Sequence, residues 1–265
     1  VEILGYIAAI LIGISLGLIG AGGSILTIPV LVYLLGISPI HATSYSLFIV
    51  GMSATIGVFR YLKNNLVCLR TVFVFGIPSV ISIFITRKYL LHKIPSSLVT
   101  IGQFEVTKNI ALMLLLAILM IVASYSMIKK QGIVRVDSQV NNAQYRYFLI
   151  FQQGIIVGLL VGLVGAGGGF LIIPALVMLA KLPMKKAVGT SLAIVSLNSI
   201  IGFLSDFGVH DFKWNFLMLF TALAIVGIIL GSYLSKYISG TKLKPMFGWF
   251  ILVMGTYIIV KELLF

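Results

Sequence analysis

Charge is what this chain has least of. Asp, Glu, Lys and Arg make up 9% of its 265 residues, against 60% hydrophobic. An ordinary soluble domain carries about a quarter charged residues. A chain this apolar cannot cover itself in water. Its apolar residues form nearly continuous runs, not the short alternating segments of a β-barrel, so it reads as an all-α polytopic protein of the cell membrane.

Acids are scarcer still. Glu2, Glu105, Asp137, Asp206, Asp211 and Glu262 face 19 Lys and Arg, a formal net charge of +13. In a soluble protein that would suggest nucleic acid. Here the basic residues fall in short loops, where they set topology and meet anionic headgroups. The expected partner is lipid, not nucleic acid. Cys68 is the single cysteine, which excludes an intrachain disulfide, and there is no zinc-like cluster. His41, His92 and His210 fall in predicted loops. No acid–His–Ser constellation is readable and no GK[ST] follows a glycine cluster, which argues against an enzyme. No cofactor is called for. The first apolar run lacks a basic n-region and reads as a retained segment, not a signal peptide.

Glycine, by contrast, is plentiful and organised. GLIGAGGSILTIP, Gly17 to Pro29, recurs as GLVGAGGGFLIIP, Gly162 to Pro174. The offset of 145 (162 minus 17) holds without a gap from Gly17–Gly57 to Gly162–Gly202, and Ala42, Ser46, Leu47 and Gly57 recur as Ala187, Ser191, Leu192 and Gly202. Each half reads as five apolar segments: roughly 3–20, 24–36, 42–59, 69–86 and 109–128, then 147–165, 169–180, 187–204, 213–235 and 245–264. The chain thus divides into a transmembrane repeat over 1–128, a polar cytoplasmic linker over 129–146 and a second repeat over 147–265. This gives eight to ten transmembrane helices. The second segment of each half is short for a crossing of about 20 residues. Segments one and two therefore form either a re-entrant hairpin or two crossings, the second tilted or partial. Either way each half makes three net crossings, so the halves should be inverted.

Positive charge tests inversion. Arg60, Lys63 and Arg70 follow segment three of the first half, where the second half has Asp206, Asp211 and only Lys213. Lys181, Lys185 and Lys186 follow segment two of the second half, where the first has only His41. The bias flips, as inversion demands, and puts both termini outside. One loop disagrees: Arg87, Lys88, Lys93 and Lys108 would face outward.

Gly13, Gly17, Gly158 and Gly162 are spaced for close helix packing. GAGG is different. Glycine weakens a helix interior by about 1 kcal/mol relative to alanine, and several together favour a break. Broken backbone in a bilayer is tolerated where it lines a cavity. Helix starts near Ser24 and Gly169 would present N–H groups and a positive dipole end. That makes an anion site of Gly20, Gly22, Gly23, Ser24, Gly165, Gly167, Gly168 and Gly169. Thr43, Ser46, Thr190, Ser191 and Asn198 on the third segments could donate to it, or could bond between helices or back to the preceding turn. The same broken helices also expose carbonyl ends suited to a cation, although the acids sit near segment ends. Asp206 is the candidate for a coupling ion. Exposed aromatic and glycine faces are compatible with a homodimer, and lipid explains them as well.

With these glycine motifs followed by ATSYS and VGTSLA, the sequence resembles the sulfite exporter TauE/SafE family over nearly its whole length. The resemblance implies secondary export of small sulfur oxyanions or organosulfonates, such as sulfite or sulfoacetate. Repeat one reads GAGGS and repeat two GAGGG, so the two half-sites are not chemically equal.

Overall fold

The computed structural model describes residues 2–95, 97–101, 104–128, 143–178, 180, 182–207, 212–235 and 240–264. Helix α1, Glu2–Ile19, is followed by an irregular rod: a 3-10 stretch Gly20–Leu26, a single α turn α2 Thr27–Pro29, and a π stretch Val30–Leu34. Then come α3 Pro39–Lys63 and α4 Leu69–Ile85, which runs on through a π turn Thr86–Leu90 into α5 Leu91–Lys93. An antiparallel hairpin, β1 Ser97–Ile101 with β2 Phe104–Thr107, is the described departure from an all-helical chain. The remaining helices are α6 Lys108–Ile128, α7 Ala143–Val164, α8 Gly169–Met178, α9 Met184–Asp206, α10 Trp214–Leu234 and α11 Gly240–Leu264.

Among the described residues five helices are long and apolar enough to cross a membrane: Pro39–Lys63, Leu69–Leu90, Lys108–Tyr125, Met184–Asp206 and Trp214–Leu234. Leu4–Ile19, Gly23–Leu34 and Phe148–Val164 are shorter apolar helices. Residues 129–142, most of the expected linker, lie outside the described residues, as do Lys181, His210, Asp211 and Lys236. Residues 143–146, assigned to the linker from sequence, already belong to α7. His41 and His92, read as loop residues, lie in α3 and α5; His41 Nδ1 is 2.7 Å from the Ser38 hydroxyl at the exposed start of α3.

Small residues decide which helices touch. A Cβ added to Gly13 would fall on the backbone of α10 at Ala224 and Ile228, and one added to Gly17 on Ile228, Gly231 and Ser232. The contacts advance together, so α1 and α10 run parallel. In the other half, Gly158 meets Ser79 and Ser82 on α4, and Gly162 meets Ile83 and Thr86. Gly13 with Ala224 and Gly158 with Ser79 are related by the 145-residue offset, and so are Gly17 with Ile228 and Gly162 with Ile83. These glycines are packing residues, as their spacing suggests.

At the centre α3 crosses α9 antiparallel. The Ser44 hydroxyl donates to Asp206 and Thr55 Oγ1 pairs with Ser196 Oγ at 2.6 Å. Between them Gly51 lies against Ser199. These are the most enclosed spans, 72% and 78% buried, against 44% for α4 and α10. The two third segments therefore form the core axis, and the glycine hairpins pack around it.

Candidate functional site

Each hairpin lies on the third segment of the opposite half. Gly165 sits against Thr43, and Gly20 against Val188. Both take a left-handed φ, +75° and +76°, which disfavours any side chain with a Cβ. The two tips then diverge. Gly167 and Gly168 are also left-handed, at +68° and +75°, so the chain turns sharply and α8 starts afresh at Gly169. In the first half the 3-10 stretch begins at Gly20 itself and contains Gly22, Gly23 and Ser24. The expected fresh helix start near Ser24 is therefore absent. The rod instead changes pitch from 3-10 to π, with Pro29 at the junction. Pro29 has no N–H to give, so the ladder is interrupted there.

Gly23 faces its own hairpin partner. A Cβ there would meet Ser15 and the backbone N of Leu16 on α1. A large residue at Gly23 thus attacks packing inside the hairpin first. Gly167 faces the core axis: a Cβ there would lie 2.9 Å from both Ser199 Oγ and Val50. The repeat partner of Gly23 is Gly168, where a Cβ would likewise meet its own hairpin, at Val161 on α7; Gly167, one residue earlier in the motif, is the one that opens onto α3 and α9.

Thr43, Ser46, Val50 and Ser53 lie at i, i+3, i+7 and i+10, along one stripe of α3. The repeat gives Val188, Ser191, Val195 and Asn198 on α9. The hydroxyls on these helices divide into two groups. Thr43 Oγ1 donates to the Ile40 carbonyl, Ser191 Oγ donates to the Val188 carbonyl, and Thr190 Oγ1 accepts the Cys68 N–H. Ser46 Oγ, Ser53 Oγ, Ser199 Oγ and Asn198 Oδ1 are fully buried without a protein partner, and so is Thr27 Oγ1. The other end of the Asn198 amide reaches Ser79 Oγ at 2.8 Å. Amide orientation is assigned from partners, so one atom of that amide is unpaired whichever way it is turned. Each buried unpaired polar group costs about 1–3 kcal/mol. Four of these lie on α3 and α9, and Ser199 Oγ is the one set against the second glycine turn, at Gly167. Ser53 and Ser199 were not singled out from sequence. Ser53 had a signal, since the offset carries it onto Asn198; Ser199 matches Ala54 and had none.

A second polar group closes one end of the α3–α9 crossing. Arg87, in the π turn after α4, is buried against Asp206, the last residue of α9; each side chain is 1% exposed. Arg87 Nε donates to Oδ1 and Oδ2 of Asp206 at 2.9 and 3.0 Å, and Nη2 to Oδ2 at 2.5 Å. Nη1 donates to the Gly162 carbonyl at 3.0 Å, and Nη2 also reaches the hydroxyls of Thr43 and Ser44 at 3.2 Å. Ser44 in turn donates to Asp206. Sequence placed both charges in loops. The burial of Arg87 corrects that and removes one of the four cations that broke the positive-inside pattern. An unpaired charge here would be costly; bidentate pairing and neutral donors and acceptors offset much of that cost.

Several long, mostly apolar helices, a core of two crossed helices and broken glycine hairpins laid on that core define a polytopic membrane protein. The chain belongs to the sulfite exporter TauE/SafE family, whose model matches residues 5–258. It is 28% identical over 256 residues to a probable membrane transporter protein of Xylella fastidiosa, covering 95% of this chain and 92% of that one. It is 27% identical over 268 residues to a probable membrane transporter protein of Methanocaldococcus jannaschii, covering 96% and 94%. A third relative, the probable membrane transporter protein YunE of Bacillus subtilis, is 26% identical over 273 residues, covering 97% and 98%. No solved structure matches the chain.

Proposed function

We infer that this membrane transporter exports small sulfur-containing anions, sulfite or an organosulfonate such as sulfoacetate. It holds them between two inverted repeats and works by alternating access. The observation that carries the anion site is Ser199 Oγ: buried, unpaired and facing Gly167, two residues before α8 begins. Ser46, Ser53 and Asn198 extend the same set of neutral groups. Hydroxyls and an amide beside a helix N-terminus suit an oxyanion without a buried cation. Inversion is supported by the antiparallel α3–α9 crossing and by the offset that relates the α1–α10 contacts to those of α7 with α4.

Melting of the purified protein in mild detergent tests the reading. A ligand bound only by the folded state raises the midpoint by mass action. Sulfite or sulfoacetate should raise it more than chloride does at equal ionic strength. Ser199→Ala with Ser46→Ala should lose that selective rise while the protein stays folded. A rise with sodium and none with any anion would assign the broken helices to a cation instead.

A further inference from the structure

Arg87 does more than neutralise Asp206. Its guanidinium lies against the entrance of the second glycine hairpin and against the α3 residue on which that hairpin rests. Nη1 holds the carbonyl of Gly162, the first residue of GLVGAGG, at 3.0 Å, and Nη2 holds Thr43 Oγ1 at 3.2 Å. Thr43 is the residue on which Gly165 rests. The cation therefore sits one side chain away from the turn that carries Gly167. Its carboxylate partner comes from the end of α9, and four elements meet at the pair: α3, the turn after α4, α7 and α9.

A carboxylate bound in this way occupies the place a substrate oxyanion would take. Asp206 presents two oxygens to Arg87 and accepts the Ser44 hydroxyl. Sulfite and sulfonates carry the same feature, oxygens about a planar fork apart, which guanidinium binds bidentately. The repeat-related position of Arg87 is Ser232, and that of Asp206 is Tyr61. The device thus exists at one end of the molecule only.

We propose that Arg87 is a second anion-binding residue on the transport path, masked by Asp206 in this structure, so that the pair is the gate at the Asp206 end of α9. An oxyanion leaving the Gly167 turn toward that end replaces the Asp206 carboxylate on Arg87, and opening follows when the pair parts. This rests on the anion reading above but has its own test.

Asp206→Ala removes the masking carboxylate and leaves its space. The variant should melt lower than wild type, and sulfite and sulfate should restore it, with an apparent affinity about 10-fold or more above wild type. Chloride at equal ionic strength should restore little. In Arg87→Gln/Asp206→Ala the oxyanion rescue should vanish. Rescue that persists without Arg87, or no rescue in Asp206→Ala, overturns the proposal. The central reading is judged separately, by Ser199→Ala with Asp206 intact.

A second measurement covers poor yield of Asp206→Ala. Arg87→Met/Asp206→Leu removes both charges, so no unpaired charge burdens folding. Cys68, the chain's only cysteine, caps the start of α4, roughly 29 Å along the helix from Arg87 at 1.5 Å per residue. It reports the opposite end. In proteoliposomes an unlocked gate should lower the alkylation rate of Cys68 about threefold or more, as the population shifts toward opening at the Arg87 end. An unchanged rate with an unchanged melting point makes the pair a structural one and overturns the gate.

Discussion

The two ends of the α3–α9 crossing are built on the same backbone and closed by different chemistry. The carbonyls of Gly17 and Gly162 are repeat-related, and each accepts a side-chain hydrogen bond. At Gly162 the donor is Arg87, from the end of α4. At Gly17 it is Tyr61, from the end of α3, at 3.3 Å. The repeat position of Tyr61 is Asp206, and that of Arg87 is Ser232, which accepts Arg60 Nη1 at 3.1 Å. One end has a charged pair with all its neighbours engaged. The other has a phenol, a hydroxyl and an arginine whose guanidinium also stacks over Tyr233, 5.7 Å from the ring centroid. The packing glycines are shared, while the polar closure is not. If the protein works by alternating access as proposed, such a difference would give its two access states unequal barriers without any difference in fold.

Removing one partner from the charged end should have the largest effect. Arg87→Met leaves the Asp206 carboxylate buried and unpaired, which costs about 3–5 kcal/mol. The repeat-matched Ser232→Ala should cost about 1 kcal/mol, since it loses neutral hydroxyl bonds with Arg60 Nη1 and the Ile229 carbonyl and leaves no carboxylate buried without its cation. Denaturation in mixed micelles measures both. Equal losses would mean the charged end is not special.

The next effect should be symmetric. Gly13→Val and Gly158→Val each drive a side chain into the backbone of the neighbouring helix, at Ala224 and at Ser79. Overpacking of this kind costs about 1–3 kcal/mol. The two variants should be destabilised alike, within about 0.5 kcal/mol. Unequal losses would break the match between the two helix pairs. Tyr61→Phe comes third: it deletes a neutral hydroxyl bonded to the Gly17 carbonyl and to Ser235 and should cost about 1 kcal/mol.

Much of this architecture is written in the sequence. Long apolar runs and repeated glycines placed α1, α3, α4 and α6 to α11 to within about five residues, because hydropathy and glycine both act locally. The 145-residue offset also carries the contacts of Gly13, Gly17, Gly20, Gly23 and Gly57 onto those of Gly158, Gly162, Gly165, Gly168 and Gly202. What escaped was non-local. Arg87 looks like a loop cation in any window, since the carboxylate that permits its burial lies 119 residues away. Within one motif Gly167 faces the core axis while Gly168 faces its own hairpin, which only packing decides. The 3-10 and π stretches around Pro29 likewise have no sequence mark beyond glycine and proline themselves.

The smallest effect should have the opposite sign. Ser53 Oγ and Ser199 Oγ are buried and unpaired, so each lowers stability for no folding gain. Ser53→Ala removes a hydroxyl that has no partner to lose, and the methyl keeps the Cβ packing. The variant should match wild type or exceed it by up to about 1 kcal/mol. If the hydroxyl serves the substrate, the same variant should weaken the sulfite-induced rise in melting point. Stability and binding would then move in opposite directions at one atom, which packing alone does not produce. A loss of stability in Ser53→Ala would instead mean the hydroxyl is already well bonded in the folded protein, and Ser53 would leave the candidate site.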